Sequence, residues 1–442
     1  MSEPSTYLAG HLAPLPDEID ATDLTVTGTL PTELTGRYFR NGPNPLPGED
    51  AGHQFVGHGM IHGVRLVDGR AEWYRNRWVR TRRLDGAPLV RADGTIDLAA
   101  NPANTHVIQH GERILALCEV GLPYLLTPEL DTVGPCDFDG RLTTAVTAHP
   151  KQDPVTGELH LFGYGVTPPY LTYHRLSAAG ELVETREVEV PGPTMMHDFA
   201  ITERHLVWLD LPVVFDPALL GAGLPYRWDD GYGARVGVLR RDGGARVTWF
   251  DVDPCYVFHV GNAHEDADGR IVLDVVRYGV AEFADLWSRL SDSRTPAATA
   301  ARSAGGRLHR WVLDPVTATR REQPLDDRAV EFPTLNEARI GRTNRYLYVV
   351  GEEAIGKYDT HTGETRWHHL GAGRAPDEAV FVPAADARSE DEGWLLSVVS
   401  DRAGSDLLVL DAAALTAQAT VRLPRRVPAG FHGSWIPDPA GG

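Results

Sequence analysis

The sequence predicts an all-β protein built as one large closed propeller of short strands. Three observations carry that expectation. Apolar runs along the chain have strand length rather than helix length, and 45 glycines and 32 prolines break them at close intervals. Asp-Gly pairs stand at reversals between such runs, where two-residue hairpins need positive φ. Strand-turn-strand units then continue from near residue 60 to the last apolar run with no long linker. At 442 residues this rhythm fits a propeller better than a sandwich. No strict repeat period or blade signature occurs, so spacing does not give the blade count.

In chain order, the clearest strands are ERILALCEV (112–120), GELHLFGYG (157–165), RIVLDVVRYG (270–279), NRYLYVVGEE (344–353) and GWLLSVVSD (393–401). Asp68-Gly69, Asp242-Gly243 and Asp268-Gly269 mark hairpin turns. The stretch LPVVFDPALLGAGLPYRW (211–228) is apolar and rich in Pro and Gly, which suits the wall of a hydrophobic entrance. One segment breaks the β rhythm. In GVAEFADLWSRLSDS, residues Val280, Phe283, Leu286, Trp287 and Leu290 share one face at helical spacing. Such a helix either packs on the sheet or lines that entrance. The following SRTPAATAARSAGG is small and polar and reads as a surface loop. The acidic ARSEDEGW (387–394) reads as a solvated hairpin turn. His368 and His369 read as an exposed pair on a strand end, because neighbours on a strand point to opposite faces.

Composition narrows the function. The chain is 42% hydrophobic and 23% charged, a globular balance with enough apolar residues for a sizeable core. With 42 Lys+Arg against 61 Asp+Glu, the net charge of −19 argues against nucleic acid as a partner. Three cysteines (Cys118, Cys136, Cys255) form no framework and no CxxC pair, which suits a reducing compartment. The first residues have neither a basic region nor an apolar one, so no secretory signal is expected. No apolar run is long enough to span a bilayer. A cytoplasmic protein is expected.

Eighteen histidines are present, and most histidines bind nothing. Context singles out four: His149 in TAHPKQDP, His197 in TMMHDFAIT, His259 in YVFHVGNAHE and His432 in AGFHGSWIP. Each follows a small or apolar residue at the end of an apolar stretch near a turn. They lie too far apart for a helical HxxxH site. Separate blades of a propeller can still aim one histidine each at a common axis, although spacing alone does not establish it. No G-x-S-x-G elbow, phosphate loop or dinucleotide glycine pattern stands in a suitable setting. No local feature selects a carboxylate pair for glycoside hydrolysis.

Around these histidines the sequence resembles the carotenoid cleavage oxygenase family over nearly its whole length. The matching stretches run in family order: GRYFRNGPNP (36–45), GHGMIHGVRL (57–66), ANTHVIQHGERILALCEVGLP (103–123), TAHPKQDPVTGELHLFGYG (147–165), MMHDFAIT (195–202), VFHVGNAHE (257–265), EFPTLNEARIG (331–341) and FHGSWIP (431–437). The resemblance implies a seven-bladed β-propeller with a helix and loop cap over the metal-bearing top face. It implies one domain over 1–442, with cap insertions at about 205–235 and 279–306. It also implies Fe(II) held by His149, His197, His259 and His432. Three glutamates of the family that accept hydrogen bonds from the ligand imidazoles correspond to Glu119 in ALCEVGLP, Glu331 in EFPTLNE and Glu378 in PDEAVFVP. Each would fix one ring and its tautomer.

The implied reaction is cleavage of one C=C bond of an apocarotenoid or carotenoid by O2, giving two carbonyl products. Two departures from the family pattern matter. His264 stands where an aromatic residue is frequent, and is expected near the ligands or in the pocket wall. Stilbene-cleaving members carry a lysine before the first glutamate, whereas here Cys118 precedes Glu119. That disfavours a stilbene or phenylpropene substrate, which is kept as an alternative. An isomerase and a non-catalytic binding propeller are the others. The tunnel mouth is expected to be apolar, with Val213, Val214, Phe215, Leu219 and Leu220 in one loop and Phe283, Leu286 and Trp287 on the helix as its candidates. The acidic surface disfavours anionic lipid, so transient membrane contact is the most expected, and an apocarotenoid is favoured over the intact polyene. The sequence leaves the oligomeric state open.

Overall fold

The structure is a computed structural model that describes residues 8–50, 52–221, 223–243, 246–291 and 305–438. Seven antiparallel sheets follow one another along the chain as the seven blades of a propeller. Blade 1 contains Gly36–Pro43, Gly59–Val67 and Arg70–Trp78, with Asp20–Ala21 on its outer edge. Blades 2 to 6 occupy 106–135, 151–187, 200–251, 256–324 and 331–369 in turn, and blade 7 occupies 375–422.

Both ends of the chain close the ring. Gly433–Pro437 returns to become the innermost strand of blade 1, with Tyr38 opposite Trp435. Val26–Gly28 pairs with the outer strand of blade 7, with Val26 opposite Val421. Closure of this kind leaves only short edges exposed. Arg40 of blade 1, 1% exposed, reinforces the seam with an ion pair to Asp377 of blade 7 at 2.6 Å.

Strand position explains the burial patterns. Middle strands are packed on both faces, so His205–Asp210 is buried at every residue and includes Trp208 stacked on Phe199. Outer strands have a wet face: Leu182–Glu187 alternates, and Thr319–Pro324 is mostly exposed. The five expected strands are present, as Arg113–Leu117, Leu159–Tyr164, Ile271–Tyr278, Tyr346–Val350 and Gly393–Ser400. At the first Asp-Gly turn, Asp68 and Gly69 have φ of 46° and 73°, the left-handed pair that a two-residue hairpin demands. Gly243 and Gly269 also have positive φ between adjacent strands.

Several details differ from expectation. The acidic turn is structural rather than merely solvated. Glu390 accepts the backbone N–H groups of Arg345 and Tyr346, and Asp391 pairs with Lys357 at 2.6 Å, so the turn pins blade 7 to blade 6. His369 is exposed, but His368 donates from Nδ1 to the Leu415 carbonyl. Residues 205–210 belong to blade 4, so the excursion there begins at Leu211. Within it Val213–Phe215 pairs with Tyr226–Trp228 as a small hairpin outside the blades. Val213 and Val214 are buried and face no solvent, leaving Leu220 (63% exposed) and the partly buried Phe215 and Leu219 near the surface.

The expected helix is present as Val280–Ser291. Phe283 is its buried anchor, stacked on Trp287 and packed against Trp228 of the neighbouring excursion, so helix and hairpin form one cover. Val280, placed on the apolar face by its spacing, is 53% exposed in the first turn. Most of the polar stretch that follows, 292–304, lies outside the described residues. No helix among the described residues is long and apolar enough to cross a membrane.

Candidate metal centre

The innermost strands carry the four histidines to one point. His149 precedes the inner strand of blade 3 (Lys151–Gln152), and His197 precedes that of blade 4 (Ala200–Ile201). His259 lies within that of blade 5 (Tyr256–Glu265), and His432 precedes the closing strand of blade 1. One ring nitrogen from each lies within 4.8 Å of the others. Nε2 of His149 faces Nε2 of His197 at 3.0 Å. Two imidazole nitrogens at that distance repel unless a proton or cation lies between them. Nε2 of His259 is buried with no hydrogen-bond partner.

The three blades without a ligand candidate each supply a glutamate. Glu119 follows Arg113–Leu117 in blade 2, Glu331 opens the inner strand of blade 6, and Glu378 sits in blade 7 between Ala375–Pro376 and Val380–Pro383. Nδ1 of His259 donates to Glu331 at 2.6 Å and that of His432 to Glu378 at 3.0 Å, while Nδ1 of His197 lies in ion-pair contact with the Glu119 carboxylate. A ring that donates from Nδ1 keeps its Nε2 lone pair, and that atom points into the cluster. The carboxylates are themselves held. Tyr164 O–H donates to Glu119, and Tyr278 O–H donates to Glu331 at 2.7 Å. The N–H groups of Phe332 and Gly433 donate to Glu331 and Glu378. His149 alone of the four has no glutamate among the described residues.

The electrostatics suit a cation. Burial, aided by the neighbouring rings, pulls His149 and His432 well below the usual imidazole range, so both stay neutral. Burial acts the same way on His259, but the charge and hydrogen bond of Glu331 outweigh it and push that ring up. Burial raises Glu378. Imidazole nitrogens converge on one point with carboxylates behind them, and a divalent ion there offsets the cost of burying the acids. The donor set therefore fits a metal ion.

A cavity of about 560 Å³ opens beside His197, His259 and His432, under the helix and hairpin cover. Phe55, Phe258, Phe332 and Phe431 line it, with Leu224 and Leu286 from the cover. A smaller cavity of about 140 Å³ reaches His149, His259 and His432 from among the inner strands. There Lys151 pairs with the buried Asp198 at 2.8 Å.

All seven predicted residues thus meet at one site. His264 does not: it lines neither cavity, lying further along the inner strand of blade 5 opposite Val272. The strand is bulged between the two histidines, at Val260 to Asn262, so His264 is carried past the centre. Sequence reasoning missed Tyr164, Tyr278 and a further, half-buried histidine beside the centre. His106 lies 5.1 Å from His432 by ring centroids, but both its nitrogens are engaged, by the Ala148 carbonyl and Ser434 Oγ. Its own stretch, ANTHVIQHG, was the available signal. Replacing Glu331 by glutamine is expected to weaken metal affinity or activity by roughly 10–100-fold, because the amide no longer fixes the His259 tautomer. Equilibrium dialysis against a metal buffer measures it, and an unchanged affinity with unchanged turnover would count against the orienting role.

Fold and site together define a seven-bladed propeller whose axis carries a four-histidine centre, with an apolar cavity beside it. Known proteins share this architecture. The family model RPE65, described as retinal pigment epithelial membrane protein, matches residues 12–437, and the chain belongs to that family. It is 40% identical to a carotenoid cleavage oxygenase of Mycobacterium tuberculosis, covering 98% of this chain and 97% of the relative. It is 35% identical to carotenoid 9,10(9′,10′)-cleavage dioxygenase 1 of Arabidopsis thaliana, covering 98% and 90%. The crystal structure of Pseudomonas brassicacearum lignostilbene dioxygenase superimposes with a TM-score of 0.85 at 28% identity, covering 99% of this chain and 100% of that one.

Proposed function

We propose that the protein is a non-haem Fe(II) dioxygenase that uses O2 to cleave one C=C bond of an apocarotenoid or carotenoid, giving two carbonyl products. The observation that carries this reading is the opening of the four-histidine centre onto a deep apolar cavity. Affinity alone favours copper or zinc at imidazoles, so the choice of iron rests on the family resemblance. Bound there, the ferrous ion would supply the site at which O2 is activated beside the alkene.

The chain's own residues do the rest. Glu119, Glu331 and Glu378 hold three imidazoles in one tautomer and orientation, so the centre needs no rearrangement to bind its ion. Phe332 stacks on His259 at 5.0 Å and shields it from water. Phe55, Phe258 and Phe431 offer a polyene flat apolar walls, and the helix carrying Phe283 and Trp287 covers them. Excluding water both strengthens substrate binding and protects reactive species. The same reading takes 1–442 as one propeller unit, supported by closure from both ends. It places the enzyme in the cytoplasm, supported by three free, buried thiols.

A stilbene substrate is the second reading, favoured by the likeness to the lignostilbene enzyme. Against it, the buried Cys118 precedes Glu119, and the two lysines are engaged elsewhere, by Asp198 and Asp391. A non-catalytic propeller gives no reason to bury three carboxylates behind four imidazoles. Incubation of iron-loaded protein with apocarotenoids, carotenoids and stilbenes under labelled O2, followed by mass spectrometry, decides among them. Labelled carbonyl fragments from an apocarotenoid are expected. Unlabelled isomers, or no product across the panel, would defeat the reading.

A further inference from the structure

We propose that Arg83 recognises a carboxylate on one end of the substrate, so that the enzyme prefers a polyene acid to the corresponding alcohol or hydrocarbon. This rests on the reading of the cavity as the polyene site. The excursion from blade 1 to blade 2 carries Arg80, Arg82, Arg83 and Arg91. Three of these have carboxylate partners: Arg80 pairs with Glu18 at 2.7 Å, and Arg82 and Arg91 share the buried Asp97 at 3.1 Å each. Arg83 has no ion pair or side-chain hydrogen bond among the described residues, and its Nε is buried without a partner. It lines the large cavity, together with Leu89 of the same excursion.

An unmatched guanidinium against an apolar cavity is costly unless a ligand completes it. The other arginine on that lining, Arg289, is paired with Asp285 at 3.0 Å. The acids on the lining, Glu119 and Glu331, are engaged by His197 and Tyr164 and by His259 and Tyr278. Among the described residues, Arg83 is therefore the arginine on this lining that has no carboxylate partner. Its planar fork matches a carboxylate in two parallel hydrogen bonds, a geometry that neither an alcohol nor a hydrocarbon end reproduces. Held by that end, a linear polyene has its register against the histidines fixed, so Arg83 would select which double bond is cut.

The test is a titration of metal-free protein with a polyene acid and with its alcohol, followed by quenching of tryptophan fluorescence. The polyene absorbs where tryptophan emits, and Trp287 packs against Phe55 of the cavity wall. The wild type is expected to bind the acid about 10-fold or more tightly than the alcohol, the effect of one charge-assisted pair. Arg83→Gln should abolish that preference while leaving alcohol binding within about twofold, and Arg83→Lys should retain part of it. With iron restored, the same loss should show in KM for the acid, and a changed ratio of cleavage products should report the lost register. Equal affinity of the wild type for acid and alcohol would overturn the proposal, whatever the fate of the variants. So would a preference that survives Arg83→Gln. Binding with the expected preference but no cleavage of any polyene would instead reject the oxygenase reading and leave the acid site standing.

Discussion

Replacing His197 by alanine is expected to empty the centre of metal and reduce turnover to background. Two losses coincide at this residue. Its Nε2 is 3.0 Å from that of His149, so its removal leaves three donors and opens one side of the ion to solvent. Its Nδ1 lies against the Glu119 carboxylate, so without it that group, in the wall of an apolar cavity, keeps only its hydrogen bond from Tyr164. The change therefore acts on the ion directly and through the charge balance around it, which is why it should exceed the effect of Glu331→Gln. Elemental analysis of purified protein gives the metal content, expected to fall from about one ion per chain to near zero. Circular dichroism should show an intact propeller, because the blades close without the centre. Retention of both iron and full turnover would mean that the four-histidine assignment is wrong.

Replacing Arg40 by methionine is expected to lower stability by about 3–5 kcal/mol, the typical cost of removing one partner of a buried ion pair. Arg40 pairs through Nε with Asp377 at 2.6 Å and donates from Nη2 to the Pro428 carbonyl, joining three parts of the closure between blades 1 and 7. Its surroundings leave no slack. Gly430 lies flat against the guanidinium, where any Cβ would collide with it. Methionine fills most of the volume but removes the guanidinium that pairs with Asp377. The effect should also reach the centre, because Asp377 adjoins Glu378, which holds His432. A clearly lower thermal midpoint is expected, together with reduced metal retention. A midpoint equal to that of the wild type would show that the seam does not depend on this pair.

Much of the site was legible because its chemistry is local. His149, His197 and His432 each stand just before an inner strand, where the chain entering the axis presents a polar group, and His259 lies within one, after the apolar YVF. Residues 149, 197, 259 and 432 were therefore separable from the other histidines. Their metal role came from resemblance, since nothing local says that four distant turns share one axis. The partners were less legible. Tyr164 and Tyr278 sit on strands that pair in the ordinary way, and only the packing of blade against blade aims their hydroxyls at Glu119 and Glu331. His106 looked like any strand histidine, yet its ring lies close to that of His432.

By itself, the sequence determined the all-β character, the hairpins at Asp68-Gly69 and Asp268-Gly269, and the helix at Val280–Ser291. These depend on side-chain alternation, turn conformation and helical spacing, which act over a few residues. Tertiary structure decided the rest. It buried Val213 and Val214, which composition had placed at the tunnel mouth, because their strand packs against the segment before blade 4, Thr194 bridging to Val214. It exposed Val280, which helical spacing had turned inward, because the contacts to Trp228 and Phe55 are made by Phe283 and Trp287. It turned the acidic run near Glu390 from a solvated turn into a clasp on Arg345 and Lys357. It also shared the axis out among seven blades, four giving a histidine and three a glutamate. Ring closure sets which blades face one another across the axis, and closure depends on contacts between residues as distant as Tyr38 and Trp435. No local pattern in the chain contains that information.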